Sequence, residues 1–560
     1  MDEETFVEMW IAFTVPRFLN IDPTIEHLSK LEEEELKKNK EDSVDRIVQA
    51  ASESQIDART DQMHITDSDN VLDMYSDGQS YTPKQVKRER SPGIETGNDS
   101  KIRAVDNTFM PPTYTPKQST PSRAPSTTAR GKVLLCFGPN IKSWKNQTNY
   151  EALITKADNP HVPKEVVYMY EMLSKQGASL SSNCQTFGER LCHIWNEIGG
   201  SKSNVRCVRN VMSVSQVPFR TWGRISTTID KSSGSKIVML EGCKRSKGDN
   251  NAPIVRLDLS GIKHYSVFSG QIVAVEGTNV TGNALMAKEI CVKGHAPLAE
   301  TPKLSGDLKV YVAVGPFTPA DNLNYQPLWD LMERVVEEEP NILILLGPFI
   351  EYIHPEIKKC SLKDTYQDFF DKILAKIMQS LQGKSTRVVI VPSNRDAHHD
   401  PVYPTPEYTI IPNKIGSNVG NLYSMPDPCI ISVDGLKIGI TSVDTVRHLG
   451  QKEVSNTPGM DRLSRLADHV LSQATFYPLY PPFPGLNFDT TLWKKYACFE
   501  QQPHIMILPS DIKYYCKVVN ECLVLNPERL QKYIYAKLCV RPVRNGKWDA
   551  NNVSCEIAKV

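Results

Sequence analysis

The stretch Asn341–Glu351, NILILLGPFIE, decides how this chain is read. Five aliphatic residues in a row, Ile342 to Leu346, followed by Gly-Pro, describe a strand buried on both faces and stopped abruptly. Strands of a parallel sheet are apolar throughout because helices cover both faces. Three further stretches repeat the design: VYVAVGPF (Val310–Phe317), VVIVPS (Val388–Ser393) and IMILPS (Ile505–Ser510). Each apolar run ends at a proline, namely Pro316, Pro348, Pro392 or Pro509. Proline has no N–H to give to a ladder, so it marks the end of a strand. Ligands of open α/β sheets sit just beyond such carboxyl ends. Here the ends carry Gly-Pro-Phe twice and Pro-Ser twice, with no row of carboxylates and imidazoles.

Around these strands, residues 301–560 alternate strands with helical faces. Leu328, Leu331, Met332, Val335 and Val336 make one face, and Phe369, Phe370, Ile373, Leu374, Ile377, Met378 and Leu381 a stronger one. Leu463, Leu466, Ala467, Val470 and Leu471 make a third, and KIGITSVD (Lys437–Asp444) adds a strand. Upstream, residues 205–300 switch to five short alternating strands with glycines at the bends: TWGRIST, SKIVMLEG, IVRLDLSG, GQIVAVEGTNV and NALMAKEI. That pattern fits an OB-like barrel. Such barrels bind single strands through aromatic platforms and a basic groove. This one offers Trp222 on a strand and Phe219, Tyr265 and Phe268 near loops, which suits a protein contact or a weak DNA contact.

Residues 150–204 read as a helical lead-in, with apolar stripes over Val166–Leu173 and Phe187–Ile198. Residues 76–149 form a linker. Through Arg130 it is rich in Ser, Thr, Pro, Asp and Lys and too poor in apolar surface to order itself. It carries four Ser/Thr-Pro steps, at Thr82, Ser91, Thr115 and Thr120, three of them with a base two or three residues beyond the Ser/Thr. These are candidate sites for proline-directed kinases, each phosphate adding about −1.5 to −2 charges. Lys87-Arg88-Glu89-Arg90 reads equally as a nuclear-import signal and as a solvated charge cluster. Residues 1–75 read as a helical domain, with Phe6, Met9, Trp10 and Phe13 on one face of its first helix. That stripe suits the domain's own core or a partner groove.

The 560 residues carry 65 basic and 65 acidic side chains, so the whole chain does not have the balance of a nucleic-acid-coating protein. The neutrality hides an asymmetry: residues 1–60 hold 15 acids and 7 bases, and residues 81–145 hold 12 bases and 4 acids. Such segregation suggests arms that meet different partners. The 13 cysteines are scattered without a C-x-x-C, which fits free thiols in a reducing compartment better than a disulfide framework or a zinc finger. No apolar run reaches the ~18 residues of a membrane span, and the acidic start is unlike a signal peptide. A soluble intracellular protein without a membrane partner is expected.

A binuclear phosphoesterase needs Asp and His ligands at its strand ends, where two metals activate water and clamp phosphate. Calcineurin-like enzymes supply them from D-x-H, G-D-x-x-D, G-N-H-D/E and G-H-x-H motifs. In strand order this chain has Gly315-Pro316-Phe317, then Gly347-Pro348-Phe349-Ile350-Glu351, then Ser393-Asn394-Arg395-Asp396, then Pro509-Ser510-Asp511-Ile512. Gly315 and Phe317 replace both ligands of the first motif. Pro348 replaces the Asp of the second, whose last carboxylate survives as Glu351. Asn394 and Asp396 keep their types around Arg395, which replaces the histidine of the third. Ser510 and Ile512 replace both histidines of the fourth. No dimetal centre and no cofactor follow from that set. What remains is His398, His399 and Asp400, with Asp444, His448 and His504. The first three suit a single-metal or acid/base site, but neighbours on an extended chain point to opposite faces, which favours hydrogen-bonded structural roles.

An OB barrel followed by a phosphoesterase-like domain stripped of its ligands resembles the B subunits of replicative DNA polymerases, within them the polymerase alpha–primase branch. The residues that carry the resemblance are LDLSGIKHYSVFSGQIVAVEG (Leu257–Gly277), VAVGPFTPADNLNYQPL (Val312–Leu328), ILLGPFIE (Ile344–Glu351), VPSNRDAHHDPVYP (Val391–Pro404), FYPLYPP (Phe476–Pro482), ILPSDIKYY (Ile507–Tyr515) and LVLNPERL (Leu523–Leu530). Tyr81-Thr-Pro-Lys84 and Tyr114-Thr-Pro-Lys117 fit as well. The resemblance covers residues 205–558. It implies a multidomain α+β chain: an N-terminal helical domain, an OB-fold barrel and an inactive calcineurin-like phosphoesterase domain. It also implies a nuclear, non-catalytic subunit that grips the zinc-bearing C-terminal region of the polymerase alpha catalytic subunit, alongside primase. The N-terminal domain would recruit other replication factors. Phe317 and Phe349 would then serve either at that interface or in the core. A divergent metallophosphoesterase and a single-strand-binding barrel are the competing expectations.

Overall fold

A computed structural model describes residues 130–560 apart from 147–149, 158, 199–204, 230–235, 244–251, 417 and 544–545. The N-terminal helical reading, and the linker with Thr82, Ser91, Thr115 and Thr120, lie outside the described residues.

The aliphatic runs become two stacked sheets. The first has seven strands in the order Val133–Phe137, Val553–Lys559, Ile534–Val540, Leu308–Val314, Ile342–Leu346, Arg387–Val391 and Leu422–Ser424. The last four of these run parallel. Leu346 is level with both Val314 and Val391, so Gly315, Gly347 and Pro392 leave the sheet at one height. The second sheet has six strands: Tyr515–Val519, Cys522–Asn526, Ile505–Ile507, Leu436–Ile440, Cys429–Val433 and Ile154–Lys156.

Alternation along each strand explains why the runs are apolar on both faces. Ile342, Ile344 and Leu346 point into the layer between the sheets, where they meet Ile438, Ile440, Ile505 and Ile507. Leu343 and Leu345 point the other way, onto helices Gln326–Glu338 and Tyr366–Ser380. Thus one face is covered by helices and the other by a second sheet, where helices on both were expected. The run Ile505–Ser510 belongs to the second sheet and not beside the other three.

Two sequence expectations are corrected. Val133–Phe137, placed in the linker, is a strand paired with Val553–Lys559. Its VLLCF apolar run outweighs the polar composition around it. Val166–Leu173, expected as a helix, is an irregular strap, and the helix is Leu173–Ile198. Val166 and Tyr168, two apart, pack on Leu492 and Tyr496, the spacing of extended chain. The Tyr168 hydroxyl donates to Asp400 Oδ1 at 3.0 Å, and the Met169 amide donates to Asp489 Oδ2 at 2.8 Å.

Five strands, Ser215–Ile229, Lys236–Glu241, Ile254–Asp258, Ala284–Cys291 and Ile272–Asn279, close into a barrel in that order. Ile225, Leu240, Val255, Val273, Val275 and Leu285 fill it. Helix Leu173–Ile198 lies against the barrel and covers Trp222 with Leu191, Cys192 and Trp195. Gly188 is required there, because a Cβ would come within 2.0 Å of Trp222 Cδ1. Barrel and α/β body are joined by main chain as well as side chain. Tyr265–Val267 pairs with Val454–Asn456, and Gln473 holds both the N–H and the carbonyl of Ile272, at 2.8 and 3.0 Å.

Candidate functional site

The loops that follow Leu308–Val314, Ile342–Leu346 and Arg387–Val391 converge because those strands end level. Asp396 ties two of them together. Its Oδ1 accepts from the Phe349 and Ile350 amides at 2.6 and 2.9 Å, and its Oδ2 accepts from the Ser393 amide at 3.1 Å and from the Tyr408 hydroxyl. A carboxylate with four donors inside a buried loop junction is structural, and its lone pairs are spent. Gly347 must be glycine, since a Cβ would stand 2.6 Å from Asp396 Oδ2.

Beside it lies a charge network. Glu351 pairs with Arg395. Arg529, 4% exposed, donates from Nε to Asp511 Oδ1 at 2.8 Å and from Nη1 to the Gly315 carbonyl at 3.4 Å. Arg447 Nη1 reaches Asp511 Oδ2 at 3.1 Å, and the Asp511 amide donates to Asp444 Oδ2 at 2.7 Å. Asp444 Oδ1 caps helix Thr445–Lys452 at the Arg447 amide, 3.0 Å away. Three guanidiniums and three carboxylates therefore interlock where the strand ends meet. Arg529 holds the Asp511 carboxyl well below its usual range. Burial, then Asp511 beside it, pushes Asp444 up. Burial and the neighbouring Arg529 bring Arg395 down to about 10.

The other expected positions sort themselves by burial. Phe317 and Phe349 are fully buried, their rings 4.7 Å apart, so they belong to the core and not to an exposed surface. Gly315 is closed in by Pro348, whose carbonyl a Cβ would meet at 2.1 Å. Ser510 is buried with its amide on Asn526 Oδ1 at 3.0 Å, and the Ile512 amide donates to Ser510 Oγ at 3.2 Å. Asn394 is half-buried beside Arg395.

His398, His399 and Asp400 do not converge. The His398 ring is stacked between Phe370 and Tyr408, at 4.3 and 5.3 Å, and burial lowers its pKa. His399 Nε2 faces the Pro406 carbonyl at 2.7 Å, and Asp400 takes the Tyr168 hydroxyl. His448 stacks on Phe483 at 4.2 Å, and His504 Nδ1 accepts the Lys437 amide at 2.9 Å. Burial pulls both histidines down to about 4, so they are neutral structural rings. Among the described residues, no group of three or more His, Cys, Asp or Glu side chains is placed to hold a metal ion. No helix among them is long and apolar enough to cross a membrane.

Of the barrel's candidate platform only Tyr265, half-buried on the short strand paired with Val454–Asn456, reaches the surface. Phe219 and Phe268 are buried, and Trp222 lies under helix Leu173–Ile198. The sequence reading overlooked Arg447, Asp511 and Arg529 as members of the site. Pro527-Glu528-Arg529, a polar break after the apolar LVL, is the signal that was there to find.

Comparison with known proteins accords with this architecture. Residues 310–517 match the family model for the DNA polymerase alpha/epsilon B subunit, and residues 200–292 match the OB domain of the DNA polymerase alpha B subunit. Residues 1–38 match the N-terminal region of the DNA polymerase alpha B subunit. The DNA polymerase alpha B subunit of Rattus norvegicus is 30% identical over 462 residues, 81% of this chain and 73% of its own. That of Drosophila melanogaster is 29% identical over 597 residues, 100% of this chain and 94% of its own. Barrel and α/β body thus both carry the mark of the alpha/epsilon B-subunit class. Within that class, the chain belongs to the family of DNA polymerase alpha B subunits.

Proposed function

We propose that this chain is the accessory B subunit of a nuclear DNA polymerase alpha–primase complex, a scaffold and not a catalyst. Its α/β body is a phosphoesterase-type domain whose strand-end site has been converted from metal binding to internal ion pairing. In this reading the barrel and body together hold the zinc-bearing C-terminal region of the catalytic subunit, alongside primase. The N-terminal domain recruits further replication factors, and phosphorylation of Thr82, Ser91, Thr115 and Thr120 tunes the linker.

The observation that supports this best is the pairing of Arg395 and Arg529 with Glu351 and Asp511. A guanidinium is a fixed cation, so it neutralises the carboxylates that would otherwise draw a divalent ion. The site gains rigidity and gives up the open coordination position that hydrolysis requires.

Affinity capture of the endogenous protein in moderate salt, with mass spectrometry and metal analysis of the eluate, tests the reading. A large polymerase subunit with two primase subunits is the expected result. A protein recovered alone, with stoichiometric manganese or zinc and phosphodiesterase turnover abolished by His399→Ala, would overturn it.

A further inference from the structure

We propose that Cys207 and Cys192 are a site of oxidative modification, joined as a disulfide by a peroxide so that helix Leu173–Ile198 is latched to the barrel. All 13 cysteines are free thiols in the structure. Along the seam between that helix and the barrel they gather: Cys184 and Cys192 from the helix lie with Cys243 and Cys291 from the barrel side. Main-chain pairing brings Cys207 to the same seam. The Val208 amide donates to the Arg220 carbonyl at 2.8 Å and the Arg220 amide to the Arg206 carbonyl at 3.0 Å. Cys207 is thereby level with Arg220 on strand Ser215–Ile229, and level residues present their side chains on one face. Arg220 faces the helix: its Nη1 donates to Asn196 Oδ1 at 2.5 Å, and its guanidinium lies 4.5 Å from the centre of the Trp195 ring. Cys192 precedes Trp195 by three residues and Asn196 by four, which puts it on the same helical face. The Cys207 side chain therefore meets the turn that carries Cys192, and the Cys192 thiol donates to its sulfur.

The two thiols differ in access. Cys207 is exposed, whereas Cys192 is 5% exposed. An accessible thiol against a sheltered one is the arrangement of an oxidant-facing cysteine and its resolving partner. Burial, then the neighbouring Cys207, push the Cys192 thiol up, so it keeps its proton until Cys207 has reacted. The Cys207 thiolate attacks one peroxide oxygen, the O–O bond breaks, and the other oxygen leaves and is protonated to water. Cys207 is then a sulfenic acid. The Cys192 sulfur attacks the Cys207 sulfur, the S–O bond breaks, and the hydroxyl departs as a second water with the Cys192 proton. Two thiols give up two electrons, and hydrogen peroxide is reduced to two waters. The second thiol pair on the seam shows why access decides. Cys184 donates to Cys243, but both are 2% exposed and sealed from an oxidant in solution. The Cys192–Cys207 bond would fix the helix in its seat over Trp222. This inference does not depend on the scaffold assignment.

The full chain, reduced and then freed of reductant, is treated with hydrogen peroxide at pH 7 and quenched with N-ethylmaleimide in urea. Mass spectrometry of the unreduced digest maps the products. The expected result is a linked Cys192–Cys207 peptide pair, lighter by two hydrogens than its two peptides and cleaved by dithiothreitol. Cys184 and Cys243 should be recovered as maleimide adducts. In Cys192→Ser the sulfenic acid at Cys207 has no partner, so dimedone should label Cys207 roughly tenfold more than in wild type. Hydrogen exchange on wild type decides the same point should that variant fold poorly: residues 173–198 should exchange more slowly after peroxide and recover on reduction. Absence of the linked pair from wild type, a Cys207–Cys291 link in its place, or equal dimedone labelling of wild type and a folded Cys192→Ser would overturn the proposal.

Discussion

Arg529 and Asp511 meet across the strand-end site, Nε to Oδ1 at 2.8 Å, and the two are not equally dependent on each other. Arg529 is almost fully buried, whereas the Asp511 side chain is 41% exposed. Removing the carboxylate strands a cation out of water; removing the arginine leaves a carboxylate that water still reaches. Asp511→Ala is therefore expected to cost about 3 kcal/mol, the lower end for breaking a buried pair. Arg529→Met should cost less, because Asp444 can take up a proton. Urea midpoints of the two variants at pH 7 check the order. A larger loss for Arg529→Met would mean that the arginine acts mainly through its bond to Gly315.

Asp396 supplies four acceptor contacts to the Phe349, Ile350 and Ser393 amides and the Tyr408 hydroxyl. Asp396→Ala leaves buried donors unpaired, at about 1–3 kcal/mol for each group that water cannot reach. A total loss of about 3 kcal/mol is expected, since the junction will relax and admit some water. Tyr408→Phe removes one contact and should cost about 1 kcal/mol. Denaturant unfolding of both variants decides this. A loss for Asp396→Ala no greater than that for Tyr408→Phe would show that the amides find other acceptors.

The strands were legible because burial on both faces leaves no polar residue to confuse the pattern, as in Ile342–Leu346. What the runs could not show is that the covers differ, helices on one face and a second sheet on the other. Ile505–Ile507 carries the same signal as its counterparts yet belongs to that second sheet. The loss of metal ligands could be read position by position, since each motif sits at a strand end. The network that fills the space was hidden, because Arg529 comes from a turn 134 residues after Arg395, and only the fold brings Asp511 between them. Trp222 looked like a stacking platform because its strand alternates; the helix that covers it is distant in sequence.

Trp222 is consequently a packing residue, and its truncation should register as lost stability. Trp222→Ala removes a ring held by Leu191, Cys192 and Trp195, at an expected cost of about 3–5 kcal/mol. Hydrogen exchange should rise selectively over residues 173–198, as the helix loses its seat. Affinity for single-stranded DNA at low salt should be unchanged in whatever fraction remains folded. A variant of unaltered stability that no longer bound DNA would restore the platform reading.

His504 should give the fold an acid sensitivity. Its folded-state pKa, brought down by burial to about 4, lies below the ~6.5 of an unfolded histidine. Between those values the unfolded chain takes up a proton that the folded chain refuses, so stability is lost as pH falls through that window. His448, also about 4, acts in the same sense. Asp427, raised by burial to about 6, acts in the opposite one, losing stability as pH rises from ~3.8 to 6. The total profile therefore mixes signs, and the difference between wild type and a variant isolates the histidine. His504→Gln keeps an acceptor for the Lys437 amide and cannot titrate. It should be less stable than wild type at pH 7, having lost the ring contact with Trp548 at 4.7 Å. The gap should close as pH falls from 6.5 towards 4.5, because only the wild type carries the proton penalty of this ring. Urea midpoints at pH 7, 6, 5 and 4.5 measure it; a gap independent of pH would mean that the buried ring is not held neutral.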